Sequence, residues 1–185
     1  MLTRRFGGDN SALIRTTIFD EQGTPLRGLR GPKDAVSTAC FSPDAKWIVT
    51  GARDKSIRQF DSESAEQLWI HAVDDTPRRV VSSHDGKFLA VLLENSHVQV
   101  RAADSGELVA DVEWPGITCV ALADSEGDLW AGTSSGTVLH YGLARAEKSS
   151  FEIGMAVRSI GVTSQRSATV CDAVGRVHTI GIGRR

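Results

Sequence analysis

Apolar residues along this chain come in short runs bounded by Gly, Pro, Asp, Asn and Ser, the punctuation of strands and tight turns. The first runs predict strands at Ser11–Phe19 and Leu26–Arg30, separated by the breaker-rich turn Asp20–Pro25. A strand ending at Phe41 then meets the turn Ser42-Pro43-Asp44, and a second strand occupies Trp47–Gly51. The tight turn Arg53-Asp54-Lys55 leads to a third strand at Ser56–Phe60, and the polar turn Asp61–Ala65 to a fourth from Gln67. Further strands are expected near Arg79–Ser83, Phe88–Leu93, Val98–Ala102 and Leu108–Val112, then Ile117–Leu122, Leu129–Thr133, Thr137–Tyr141 and Ser149–Ile153. Val157–Val162, Ala168–Asp172 and Arg176–Ile180 complete the set. Ser62–Trp69 comes nearest to a helix, but its place in the pattern makes it a turn and a strand. The runs Val-Ser-Thr-Ala-Cys-Phe, Phe-Leu-Ala-Val-Leu-Leu and Ile-Thr-Cys-Val-Ala-Leu are almost continuously apolar or small. Strands buried on both faces have this composition.

The pattern repeats. Asp44-Ala45-Lys46-Trp47 recurs 41 residues later as Asp85-Gly86-Lys87-Phe88, and Glu126-Gly127-Asp128-Leu129 follows at nearly the same interval. The third strands agree: Ile57, Val98, Val138 and Val177 are spaced by 41, 40 and 39 residues. A period near 40 with four strands per unit is that of a propeller blade.

Cys40 to Trp69 closely resembles the WD40 repeat. It has an FSPD turn, Thr50-Gly51 ending the second strand, Asp54 at the tight turn and the aromatic–Asp pair Phe60-Asp61. The resemblance implies an all-β chain of WD40-type β-propeller blades, each a four-stranded antiparallel sheet, about four in number. Residues 1–32 form a partial blade of two strands, and 33–73, 74–113 and 114–153 form complete blades. Residues 154–185 form a partial blade of three strands, all in one propeller domain. WD40 rings typically close with seven blades, roughly 280 residues at about 40 per blade. The 185 residues here therefore point to a ring closed alone, completed by a partner, or belonging to a larger propeller. In a ring closed alone, Leu26–Arg30 would lie as a fourth strand beside Arg176–Ile180.

The later repeats depart from the family pattern. Phe60-Asp61 becomes Arg101-Ala102 and Tyr141-Gly142, and the tight-turn Asp54 becomes Asn95 and then the Ser135-Gly136 region. The family's Asp–His–Ser/Thr–Trp hydrogen-bond network is thus incomplete in every repeat.

Composition narrows the function. Twenty-one basic residues stand against 23 acidic ones, so no basic footprint marks a nucleic-acid partner. No apolar run reaches the roughly 18 residues of a spanning helix, and Met1–Gly8 lacks the apolar core of a secretory signal. Cys40, Cys119 and Cys171 are odd in number and widely spaced, as expected of reduced thiols in a cytoplasmic protein. Gly132-Thr133-Ser134-Ser135-Gly136 matches the G-x-S-x-G pattern, but joins two strands, whereas a nucleophile elbow joins a strand to a helix. Asp124–Asp128 is carboxylate-rich without EF-hand spacing, and no two of the five histidines have ligand spacing. No catalytic residue, metal or cofactor is expected.

WD40 domains use the residue before the tight-turn Asp as a contact position. Carried onto this chain, these positions are Arg53 and Glu94, with Ser135 or Ser134 as the third. Arg78 and Arg79, in the loop leading into a first strand, form a candidate anionic-recognition patch. Trp114, in a polar Pro-containing loop, is a candidate hot spot, the alternative being packing against a neighbouring blade. Together they describe a non-catalytic scaffold for a protein or peptide, or for self-association that completes the propeller, within a larger complex. The alternative is a propeller enzyme or small-ligand binder using the central channel.

Overall fold

The computed structural model describes residues 2–4, 15–123, 127–164 and 167–182. The carboxylate-rich stretch Asp124–Glu126 and the first part of the expected strand Ser11–Phe19 lie outside the described residues. Eighteen strands and no helix are found among them.

Five antiparallel sheets follow one another in sequence. The first holds β1 (Leu2–Arg4), β2 (Arg15–Phe19) and β3 (Pro25–Leu29). The second holds β4 (Val36–Phe41), β5 (Trp47–Ala52), β6 (Ser56–Asp61) and β7 (Gln67–Ala72). The third holds β8 (Pro77–Ser82), β9 (Phe88–Leu93), β10 (His97–Ala102) and β11 (Leu108–Glu113). The fourth holds β12 (Ile117–Leu122), β13 (Leu129–Thr133), β14 (Thr137–Gly142) and β15 (Glu147–Glu152). The fifth holds β16 (Val157–Ser164), β17 (Ser167–Asp172) and β18 (Val177–Gly181). Strand order equals chain order in each sheet, with successive strands antiparallel neighbours. The first sheet has three strands where two were expected, because Leu2–Arg4 pairs with β2. Leu26–Arg30, expected as a fourth strand beside Arg176–Ile180 in a ring closed alone, falls in β3, which pairs with β2, and among the described residues the fifth sheet holds β16, β17 and β18.

Local chemistry sets these hairpins. Between first and second strands, the Ser42 hydroxyl accepts the Trp47 N–H, and Ala45 takes a left-handed φ of 58°. Ser83 accepts the Phe88 N–H in the same way, with Gly86 at φ 73°. Between second and third strands the left-handed position falls on Lys55, Ser96, Gly136 and Gly175 in turn. Asp20 and Asp61 each accept two backbone N–H groups through one carboxylate oxygen, closing the turns before β3 and β7.

The chain divides into two compact units, one of residues up to Val80 with Leu93–Asn95, the other of Val81–Leu92 and Ser96 onward. In the first, Leu29, Ile48 and Phe60 are fully buried, flanked by Ile18 and Ala65. In the second, one cluster joins Leu92, Val98, Val112, Trp114, Ile117 and Leu129, and another joins Trp130, Val138, Val157, Val170 and Ile180. Continuous burial falls on the second strands, with β5 and β9 buried beyond their first residue and β13 throughout, and on the third strands β6, up to its last residue, and β10, between its ends. β4 was expected to be equally buried but is only partly so, with Phe41 45% exposed. Among the strand tryptophans, Trp130 is fully buried and Trp47 and Trp69 are half-buried.

One junction occurs once in each unit. The Ser37 hydroxyl donates to the carbonyls of Gly51 and Pro77, and the Thr118 hydroxyl to those of Gly132 and Val157. A Cβ at Gly51 would lie 2.6 Å from Pro77 Cβ, and one at Gly132 2.2 Å from Val157 Cγ1. Only glycine lets the next first strand approach so closely.

Candidate binding surface at the tight turns

The turn between second and third strands is held identically in the three complete sheets. Its first residue donates its N–H to the segment leading into the sheet: Arg53 to Ala35, Glu94 to Thr76 and Ser134 to Gly116. Its left-handed residue accepts from the residue just past the fourth strand: Lys55 from Val73, Ser96 from Trp114 and Gly136 from Ile153. The lead-in, the tight turn and the fourth-strand exit therefore meet at one end of each sheet. These shared bonds also fix the register of the candidate residues. Arg53, Glu94 and Ser134 are equivalent, and Ser135 matches Asp54 and Asn95.

Arg53, Glu94, Ser134 and Ser135 are exposed. Ser135 is tied into a hydroxyl chain, 2.9 Å from Thr133 Oγ1 and 3.2 Å from Thr137 Oγ1, and Thr137 donates to Glu152 at 2.8 Å. Ser134 lies on a hairpin between two strands, which leaves the G-x-S-x-G stretch without the helix of a nucleophile elbow. Arg78 and Arg79 are exposed, but lie within β8 and not in the loop before it. Pro77 begins the strand, so the chain is extended two residues earlier than the composition suggests.

Trp114 does not have the exposure a loop hot spot needs. It is 9% exposed within the apolar cluster of the second unit. Tyr141 meets its ring edge-on at 6.4 Å, and Lys148 Nζ lies 5.8 Å from the ring centre. The Pro–Gly turn that follows folds the indole inward, making it the apolar lining beneath the turn.

Each of the last four sheets pins its third strand with one carboxylate, in a different place each time. In the second sheet it is Asp54, which accepts from the Lys33 N–H at 2.7 Å, from the Ser56 hydroxyl, and from Arg58 Nη2 at 3.0 Å. Arg58 is 3% exposed. Burial would raise the Asp54 carboxyl, but the Ser56, Lys33 and Arg58 hydrogen bonds outweigh it and hold it below the ordinary range. In the third sheet, Asp111 contacts His97 Nδ1 at 2.7 Å and Gln99 Nε2 at 3.1 Å. In the fourth, Asp128 meets His140 Nε2 at 3.3 Å and accepts the Leu143 N–H at 3.0 Å. In the fifth, Asp172 accepts from the Val174 and Arg176 N–H groups and meets His178 Nε2 at 3.1 Å. Burial raises that carboxyl too, and the Arg176, His178 and Val174 contacts more than offset it, leaving it lowered. Three of the five histidines are thus partners of structural carboxylates. Sequence reading missed the Arg58 and Asp111 networks, whose only signal is polar residues at otherwise apolar strand positions.

Among the described residues no group of three or more His, Cys, Asp or Glu is placed to hold a metal. Cys40, Cys119 and Cys171 are in no disulfide, and burial pushes the Cys40 thiol up to about 12.

Comparison with known proteins agrees with this geometry. The family model for the WD domain, G-beta repeat, matches residues 23–61, running from the turn before β3 through β6. WD repeat-containing protein 36 of Homo sapiens is 34% identical over 73 residues, covering 40% of this chain and 8% of that protein. Protein groucho of Drosophila melanogaster is 33% identical over 75 residues, covering 40% of this chain and 10% of that protein. The chain thus matches a small part of either relative's length. Among solved structures, U3-55K aligns with a TM-score of 0.70 at 19% identity, over 83% of this chain and 51% of that one. The WD40 repeats of RRP9 align with a TM-score of 0.70 at 18% identity, over 82% of this chain and 49% of that one. The computationally designed Ika4 protein aligns with a TM-score of 0.69 at 19% identity, over 84% of this chain and 96% of that one. At these identities the likeness is one of fold.

Proposed function

We propose, from the premise that the chain belongs to the WD40-repeat β-propeller family, that it is a non-catalytic platform for a protein or peptide partner within a larger cytoplasmic assembly. WD40 repeats are in general protein-interaction scaffolds. One observation carries the assignment to this chain. The tight turns are held by the same backbone hydrogen bonds in three sheets, yet present Arg53, Glu94 and Ser134 at the same exposed position. A fixed framework with varied exposed side chains suits recognition by loops on a stiff scaffold. The opposite charges of Arg53 and Glu94 favour a partner with mixed charge over a polyanion, and nucleic acid and membrane are not part of this reading. Cysteines in no disulfide suit a reducing compartment.

Affinity capture with wild type beside an Arg53→Glu/Glu94→Arg double variant tests the reading, with circular dichroism confirming that both fold alike. The wild type is expected to retain a defined set of proteins that falls at least tenfold on the variant. An identical set on both, or none above a bead control, would remove the turns from recognition.

A further inference from the structure

The tight turns between second and third strands differ at one bond. The Lys55 N–H donates to the Ala52 carbonyl at 3.1 Å, the Gly136 N–H to Thr133 at 3.3 Å and the Gly175 N–H to Asp172 at 3.2 Å. Each of these bonds ties the left-handed residue of the turn back to the last residue of the second strand. Ser96 holds the same left-handed place in the third sheet, at φ 69°, but among the described residues its N–H makes no such bond. That turn is held around the Ser96 nitrogen, by the Glu94 N–H on Thr76 and the Trp114 N–H on the Ser96 carbonyl.

The residue before that nitrogen is Asn95, which is exposed and is the only asparagine among the described residues. Asparagine is thermolabile because the next backbone nitrogen can attack its side-chain carbonyl carbon and close a succinimide ring. The attack needs a nitrogen that no carbonyl holds in place and a following side chain too small to crowd the ring. Ser96 meets both conditions. Two other steps with a small second residue do not, because their nitrogens are held. The Gly86 N–H, after Asp85, donates to Ser83 at 3.0 Å, and the Ser62 N–H, after Asp61, donates to Lys46 at 2.9 Å.

We propose that Asn95 is a site of spontaneous deamidation, which places a carboxylate in the third sheet's tight turn where the second sheet has Asp54. The Ser96 nitrogen gives up its proton and bonds to Asn95 Cγ, and the side-chain nitrogen leaves as ammonia. One water then opens the ring. Breaking the bond from nitrogen to Cγ gives aspartate, and breaking the bond from nitrogen to the main-chain carbonyl carbon gives isoaspartate. Either product adds a negative charge beside the exposed Glu94. Isoaspartate also carries the Cβ methylene into the main chain, which lengthens the turn between its Thr76 and Trp114 anchors. The reaction requires no partner, so it stands or falls independently of recognition by the tight turns.

The test incubates the folded 185-residue chain near neutral pH beside a blocked peptide of the same local sequence, Leu-Glu-Asn-Ser-His-Val-Gln. Digestion with trypsin under mildly acidic conditions releases Phe88–Arg101, which contains Asn95 and no other asparagine. Mass spectrometry follows the gain of acid in that fragment. Fragment ions separate Asn95 from Gln99, and aspartate from isoaspartate. Conversion in the folded chain is expected at no less than a tenth of the peptide's rate, and a slower rate overturns the proposal. Ser135→Asn supplies the held counterpart, an asparagine before the bonded Gly136 N–H at an exposed position. Each rate is divided by that of its own peptide, and the ratio is expected to be higher at Asn95. A ratio at Asn95 equal to or below that at the grafted asparagine would show that the fold does not expose this site, which also overturns the proposal.

Discussion

The second and fourth sheets share a strand order and a turn framework but pin their third strands from opposite ends. In the second, the carboxylate sits in the tight turn, where Asp54 gathers Lys33, Ser56 and Arg58. In the fourth, the tight turn holds hydroxyls only, and the carboxylate has moved to Asp128, just ahead of β13, where it holds His140 and the Leu143 N–H. The backbone geometry is unchanged by the exchange, because the left-handed turn residues and the glycine junctions set it. Polar pinning is therefore interchangeable between repeats, while the close-packed positions are not.

Changes of three kinds probe that contrast, and the largest effect lies in the packing. Trp130 is fully buried and stacks on Phe151 at 6.4 Å, and Val49 holds the same position in the second sheet. Trp130→Ala is expected to cost about 3–5 kcal/mol, and Val49→Ala roughly 1–2 kcal/mol for two methyl groups and their contacts. Urea unfolding of both variants measures the difference, and equal losses would mean that the two sheets are equally packed. The indole N–H of Trp130 has no hydrogen-bond partner, so Trp130→Phe should recover most of the loss.

Arg58→Ala comes next. It leaves Asp54 buried beside an empty site, at an expected cost of about 2–3 kcal/mol, kept at the low end by the Ser56 and Lys33 bonds that remain. His140→Ala leaves Asp128 its Leu143 N–H, and about 1–2 kcal/mol is expected. Reversal of that order would show the fourth sheet to depend more on its polar anchor than the second.

The smallest effect is acid sensitivity. Asp54 and Asp172 titrate below their unfolded value of 3.8 when folded, so the native state favours their charged forms. The resulting stability is fully present above that value and is lost as pH falls through it toward the lowered folded values. Asp44, held near 2 by the Ser42 hydroxyl and Lys46, adds a contribution that disappears only toward pH 2. Thermal melts from pH 6 to pH 2 should therefore drop mainly below pH 4, and Asp54→Asn should flatten part of that drop. A fall centred well above pH 4 would remove these carboxylates as its cause.

Much of the fold was legible because its information is local. The Ser-Pro-Asp-Ala-Lys and Ser-His-Asp-Gly-Lys turns, and the spacing of Ile57, Val98, Val138 and Val177, place strands within a residue or two. What stayed hidden depends on contacts distant in sequence. Arg58 reads as a solvated charge until the neighbouring turn brings Asp54 to it. Trp114 reads as a loop aromatic until Tyr141 and Lys148 are seen around it. The turn register stayed open between Ser134 and Ser135 because that turn has no acid to mark it, and the shared backbone bonds with the left-handed Gly136 resolve it. The turn positions of Arg53 and Glu94 were legible because they adjoin Asp54 and Asn95, the acid and amide that mark those turns.

The hydroxyl–glycine junctions also have a consequence in time. Ser37 bonds a residue 40 positions ahead of it, and Thr118 one 39 positions ahead. At a synthesis rate of about 5–20 residues per second, each of these first strands exists for roughly 2–8 s before its junction partner has been made. During that interval the glycine notch at the end of the second strand is an unfilled groove on a nascent chain. For those seconds, the feature that later locks one sheet against the next strand is where a ribosome-bound intermediate is most open to chaperone capture or mispairing.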